Sequence, residues 1–148
     1  MFRVIVLKKH SVKSLQDINK LLSQISLTSV KPRPVSQSTL RSILAQPSLR
    51  FIAAVAEDGM IVGMLILYFV RIPSGLSAWL EDLVIDTKLR HWGIGRLLVE
   101  KGIMLARKKK ARHLNLRTNP VRTEANKLYQ KLGFSKMETN FYRINLFR

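Results

Sequence analysis

Apolar positions along the chain follow two periods, and the switches between them mark out the elements. Residues 2–7, Phe-Arg-Val-Ile-Val-Leu, are short and β-branched and predict a buried first strand. Leu15, Ile18, Leu21, Leu22 and Ile25 then recur at helical spacing, with Ser11 or Ser14 available as the N-cap. Lys31-Pro-Arg-Pro34 breaks regular structure, after which Ser36 caps a second short helix through Leu40, Ile43 and Leu44 that Pro47 ends.

The middle of the chain reads as strands. Residues 51–56 and 60–72 flank Asp58-Gly59, a pair that favours a type I′ hairpin turn. Pro73-Ser-Gly75 closes that unit, and residues 79–85 make a fourth strand. Residues 93–109 form a helix with Ile94, Leu97, Leu98, Gly102 and Leu105 on one face. Residues 113–118 are a fifth strand. Asn119 and Pro120 supply an N-cap and a first-turn proline for a helix that Gly133 ends, with Val121, Ala125, Leu128, Tyr129 and Leu132 inward. Residues 134–137 and 141–146 are expected as a closing pair of strands. The expected fold is α/β of the α+β kind, a mixed sheet with helices on its faces, over residues 1–148 as one domain.

Composition narrows the class. With 47% apolar residues the chain is expected to fold despite its charge, and with no cysteine it has neither disulfides nor a thiolate metal site nor a cysteine nucleophile. The apolar stretch 60–70, interrupted by Gly63, is too short for a membrane-spanning helix, and the order of apolar and basic residues at the start is the reverse of a signal peptide's. A cytoplasmic protein away from membranes is expected. The net charge of +17 is uneven: residues 88–148 carry +13 of it and residues 1–87 only +4. Such a field attracts polyanions, whether a phosphorylated small molecule, nucleic acid or an acidic protein.

Chemistry concentrates where the fourth strand meets the third helix. In Arg90-His91-Trp92-Gly93-Ile94-Gly95 the glycines fall where the loop tightens, and Arg90 and Arg96 add charge beside a helix start whose first amides lack internal partners. That arrangement suits a phosphate. Alone, it is equally a turn.

The strand Leu80-Glu81-Asp82-Leu83-Val84-Ile85, the loop Arg90-x-x-Gly93-x-Gly95 and the helix end Asn126-x-Leu128-Tyr129-x-x-Leu132-Gly133-Phe134 stand in an order and spacing that resembles the GNAT superfamily of acyl-CoA-dependent N-acetyltransferases. The resemblance is close over residues 79–136. It implies a mostly antiparallel sheet of about seven strands, flanked by about four helices, with strands 4 and 5 splayed. It also implies acetyl-CoA as acyl donor and an amine as acceptor, in a monomer or homodimer. The amides of Trp92, Gly93, Ile94, Gly95 and Arg96, with Arg90, would hold the pyrophosphate. Leu83, Val84 and Ile85 would pair with pantetheine as an added strand does. Asn126 would touch the donor, and Tyr129 would protonate the departing thiolate.

An amine attacks only when neutral, so a base is needed; Glu81 is the first candidate, Asp82 the second and bulk water the third. Strand alternation sends the two acids to opposite faces. Tyr129 could instead be a core aromatic. His10, His91 and His113 show no ligand pattern, so no metal is expected. The run Arg107-Lys-Lys-Lys110 is read as cations favoured at a helix C-terminus, with a ribose 3′-phosphate and nucleic acid as alternatives. A protein or peptide amine is the preferred acceptor. The alternatives are a small-molecule acetyltransferase acting on polyamines or antibiotics, and a basic nucleic-acid- or ribosome-associated module without turnover.

Overall fold

The computed structural model describes residues 1–25 and 32–147. In chain order these form β1 (Arg3–Leu7), α1 (Val12–Leu22), α2 (Gln37–Ala45), β2 (Leu49–Val55), β3 (Ile61–Ile72), β4 (Gly75–Ile85), a 3-10 turn (Thr87–Leu89), α3 (Ile94–Lys108), β5 (His113–Leu116) and α4 (Thr123–Lys131). They fall into two compact units, Met1–Arg117 and Thr118–Arg148, described separately below. Of the chain break expected at 31–34, position 31 lies outside the described residues, and Pro32, Arg33 and Pro34 are irregular.

In the first unit the five strands lie in sequence order, antiparallel through β4, with β5 parallel to β4. Helices α1 and α2 cover one face of the sheet. Ile18, Leu21, Leu22 and Leu40 pack there against Phe51, Ala53, Met64 and Val84, and full burial of each large side chain stabilises by roughly 2 kcal/mol. Helix α3 lies against the other face: a Cβ added at Gly102 would meet Leu80, Leu65 and Ile52, and one at Gly63 would meet Ile94 and Leu98.

The helix starts follow from their serines. Ser11 accepts from the Ser14 amide while Ser14 accepts from the Ser11 amide, so both predicted caps act, as a reciprocal box. Ser36 caps α2 by accepting from Thr39 N–H.

Four predicted details give way. The Asp58-Gly59 connection is not a type I′ turn: Ala56 and Met60 bond across three residues and Gly59 alone is left-handed (φ 80°), which matches a three-residue hairpin with a glycine bulge. The fifth strand stops at Leu116 rather than 118. The last helix starts at Thr123. Asn119 does not cap it; its carboxamide oxygen accepts from Val121 N–H in a turn of its own. Finally, among the described residues the sheet has five strands where about seven were expected: residues 134–147 contain no strand. Tyr142, Ile144 and Leu146 there are exposed, so β-prone composition without burial does not make a strand.

In the second unit Gly133 (φ 93°) ends α4, and the Phe134 amide turns back to Tyr129 O. The Tyr129 and Phe134 rings meet edge to face at 5.9 Å.

Candidate active site

The loop between β4 and α3 is anchored by a residue that sequence reasoning passed over. Asp86, directly after β4, is 5% exposed. It accepts from Lys20 of α1 at 2.9 Å and from Lys88 N–H at 3.1 Å, and Gln24, just past the end of α1, accepts from Thr87 N–H at 2.8 Å. The Lys20 ammonium, more than any other neighbour, holds the Asp86 carboxyl below the usual carboxylate range. Helix α1 and the loop entrance are therefore tied through one buried charge. The legible signal was an Asp-Thr pair at a strand end, a cap for a tight turn.

From this anchor the chain runs through exposed Arg90, His91 and Trp92 into α3. His91 (φ 69°) and Gly93 (φ 78°) are both left-handed. Gly93 is the N-cap and provides no side-chain bond, and the first helical bond runs from Leu97 N–H to Gly93 O. The amides of Ile94, Gly95 and Arg96 consequently have no acceptor within the helix. A Cβ at Gly93 would meet nothing within 4 Å, so its backbone is open to a ligand. Trp92 is held at the side by Phe2, ring to ring at 6.4 Å. Arg96 turns along the helix to Glu100 at 2.8 Å, so its amide rather than its guanidinium serves the loop.

Strand β4 pairs with β5 only from Ser77 to Leu80, although it continues to Ile85. Leu83, Val84 and Ile85 thus have no β5 partner, and the parting expected of these strands is present. Opposite β3 the register skips between Met64–Val84 and Ile66–Glu81, leaving Asp82 and Leu83 facing Leu65 alone. This bulge puts Asp82 at φ 52°, left-handed for a residue that is not glycine, and breaks the simple alternation expected of Glu81 and Asp82. Glu81 bonds Arg117 at 2.7 Å, and the Arg117 guanidinium lies 5.5 Å over the Trp79 ring. Asp82 has neither ion pair nor hydrogen bond among the described residues. Its surface is open, yet the bulk of protein around it desolvates the carboxyl and pushes it above the ordinary range, with Glu81 adding to the effect. Tyr68, paired with Trp79 across the strands, is pushed up mainly by burial and then by Glu81.

Sequence reasoning missed Tyr68 and Arg117 because nothing local marks them; only the register brings them beside Trp79 and Glu81.

Asn126 and Tyr129 belong to the second unit. Both carboxamide hydrogens of Asn126 are engaged, by Asn119 O at 3.1 Å and Arg122 O at 2.8 Å, which leaves its oxygen for a ligand. Burial raises Tyr129 above an ordinary phenol, against a smaller opposing effect of Arg122, so at neutral pH it is a proton donor. The other predicted site residues form one continuous stretch of the first unit, from Glu81 to Arg96. Among the described residues no cluster of His, Cys, Asp or Glu is placed to hold a metal, and no helix is long and apolar enough to cross a membrane.

A mixed sheet whose fourth strand leaves its parallel neighbour and leads into an amide-lined, cationic helix start defines an α+β acyltransferase architecture. The chain belongs to the acetyltransferase (GNAT) family, whose profile matches residues 15–134. It is therefore an N-acetyltransferase with acetyl-CoA as donor. No curated protein sequence matches it. Solved structures share the fold. An acetyltransferase from Trypanosoma brucei is 22% identical, with a TM-score of 0.80 over 99% of this chain and 100% of that one. An aminoglycoside acetyltransferase from an uncultured soil sample is 18% identical, with a TM-score of 0.84 over 99% and 97%. Glucosamine-6-phosphate N-acetyltransferase from Arabidopsis thaliana is 17% identical, with a TM-score of 0.77 over 97% and 98%.

Proposed function

We propose that the chain acetylates a protein or peptide amine by direct attack on acetyl-CoA in a ternary complex. The observation that carries the reading is the half-paired β4. Its free edge at Leu83, Val84 and Ile85 supplies ladder groups for pantetheine, and the amides of Trp92, Gly93, Ile94, Gly95 and Arg96, with Arg90, supply donors for the pyrophosphate.

The amine nitrogen attacks the thioester carbonyl carbon, and the tetrahedral oxyanion forms beside the β4 amides near Leu83 or Val84. As the carbon–sulfur bond breaks the thiolate takes a proton, for which the family resemblance implies Tyr129 as the source, and it implies Asn126, whose carboxamide oxygen is not engaged by the bonds to Asn119 and Arg122, as a contact of the donor. Of the two candidate bases, Asp82 fits better: Glu81 is engaged by Arg117, whereas Asp82 has no partner among the described residues and a carboxyl raised toward the proton it must accept.

The acceptor follows from charge. Glycoside antibiotics and polyamines bring several cations, which favour several acids; here one of the two β4 acids is already neutralised by Arg117, in a chain of net charge +17. A peptide amine brings one cation, matching the one of the two β4 acids, Asp82, that has no ion-pair partner among the described residues. The two neighbours that act on an aminoglycoside and on glucosamine 6-phosphate set the competing small-molecule reading. Thiol release from acetyl-CoA, measured over peptides with free N-termini or lysines, an aminoglycoside, spermidine and glucosamine 6-phosphate, tests it. Turnover is expected with peptides; turnover confined to the small amines overturns the acceptor assignment.

A further inference from the structure

We propose that the end of the sheet remote from the donor loop is a docking surface for the phosphate backbone of a nucleic-acid duplex. Three elements meet there: the β3–β4 hairpin, the C-terminus of α3 and the start of β5. Arg112 joins them. Its amide bonds Leu76 O at 2.9 Å, its guanidinium bonds Ser74 O, and its methylenes lie over Gly75. On this scaffold stand Arg71, Arg107, Lys108, Lys109 and Lys110, all exposed and none in an ion pair among the described residues. The sequence has no acid from residue 59 to 80 or from 101 to 123, so nothing local neutralises them.

Favourable placement at a helix C-terminus explains one or two cations, not this density. It does not explain Lys110 either. Lys110 sits past the end of α3 at φ 57°, with its amide on Arg107 O and the Ala111 amide on Ala106 O, the position that glycine favours. A left-handed lysine there is roughly 1 kcal/mol less stable than glycine. Stability has been given up to hold a cation.

The chemistry of the patch selects the partner. Arg71 pairs with Leu76 and so shares the sheet face of Ala78, Leu80 and α3, whereas the exposed Val70 and Ile72 alternate to the opposite face. Among the described residues the Phe, Tyr or Trp ring nearest in sequence on this face, Phe69, is half-buried and so ill placed to stack single-stranded bases, and the exposed apolar side chain nearest on α3, Met104, is a single residue, too little to anchor in a lipid bilayer. Exposed cations on a backbone that Arg112 ties together suit a duplex backbone, read by charge and not by sequence. The site is separate from the donor loop, because α3 is 15 residues long and holds the two about 22 Å apart.

Fluorescence anisotropy with a labelled duplex of about 20 base pairs, without acetyl-CoA, reads this surface independently of the acceptor assignment. If five cations engage phosphates, affinity falls about 500-fold between roughly 50 and 200 mM salt. Combining Arg107→Ser, Lys108→Ser, Lys109→Ser and Lys110→Gly should make the log–log salt slope shallower by about 4. It should leave thiol release in place. Combining Arg3→Gln, Lys8→Gln, Lys9→Gln and Arg41→Gln removes equal charge elsewhere and should leave the slope within about 1 of the original. Equal weakening by both sets, salt-insensitive binding, or capture by phosphatidylserine-rich vesicles but not by duplex would each overturn the proposal.

Discussion

Asp82 carries a backbone angle that an acid rarely adopts, and the bulge that imposes it also frees its carboxylate from the ladder of pairs that holds Glu81. The two acids are neighbours in sequence and opposites in circumstance. Asp82→Asn should lower kcat/KM by about 100-fold, and Glu81→Gln by less than about 10-fold. The sign of the pH dependence follows from the raised carboxyl. Asp82 accepts a proton only when ionised, so activity should climb with pH across a window above the ordinary value of 3.8, and Asp82→Asn should remove that limb. Equal losses in both variants, with the limb unchanged, would return the role to Glu81 or to water. Tyr129→Phe should lower kcat by about 100-fold with little change in the KM for acetyl-CoA, measured at saturating acceptor. The acids themselves were legible as a pair on a strand. Their division of labour was not, because a bulge is set by the register between strands and leaves no mark in the local pattern.

At the level of elements, the buried Asp86 links α1 to the turn before α3. Asp86→Asn keeps the shape and removes the charge that faces Lys20, at a cost on the order of 2 kcal/mol at neutral pH in denaturant unfolding. Because the folded carboxyl is depressed below 3.8, the native pairing stabilises above that pH and is lost as pH falls through the folded value. The gap between variant and parent should therefore close below about pH 3.8. Gly63 is the second link. An added Cβ would lie 3.1 Å from Ile94, 3.2 Å from Leu98 and 3.4 Å from Val84 O, so Gly63→Ala should lower stability by about 1–3 kcal/mol and raise the KM for acetyl-CoA by displacing the start of α3. Helices were the most legible elements, since Ser11, Ser14 and Ser36 declare their starts in sequence. The start of α4 was misplaced because Asn119 and Pro120 are as good a turn as they are a cap.

For the molecule as a whole, the β-prone aromatics and aliphatics after Gly133 promised two more strands, and periodicity cannot reveal whether a segment has anything to pair with. Hydrogen exchange should show the contrast: the amides of β2 and β3 slowest, those of residues 135–147 near unprotected rates. The +17 charge was visible at once, but the meeting of Arg71 with the run 107–110 at one end of the sheet required the hairpin and α3 to be placed.

The early end of the β4–β5 pairing has one more consequence. A strand edge left open is a template for another chain, and such edges are normally blunted by proline, lysine or a covering element. On the proposed reading acetyl-CoA lies along this edge, so the donor would double as the guard against self-association. Light scattering on warming should rise sooner in donor-free protein than in protein saturated with CoA.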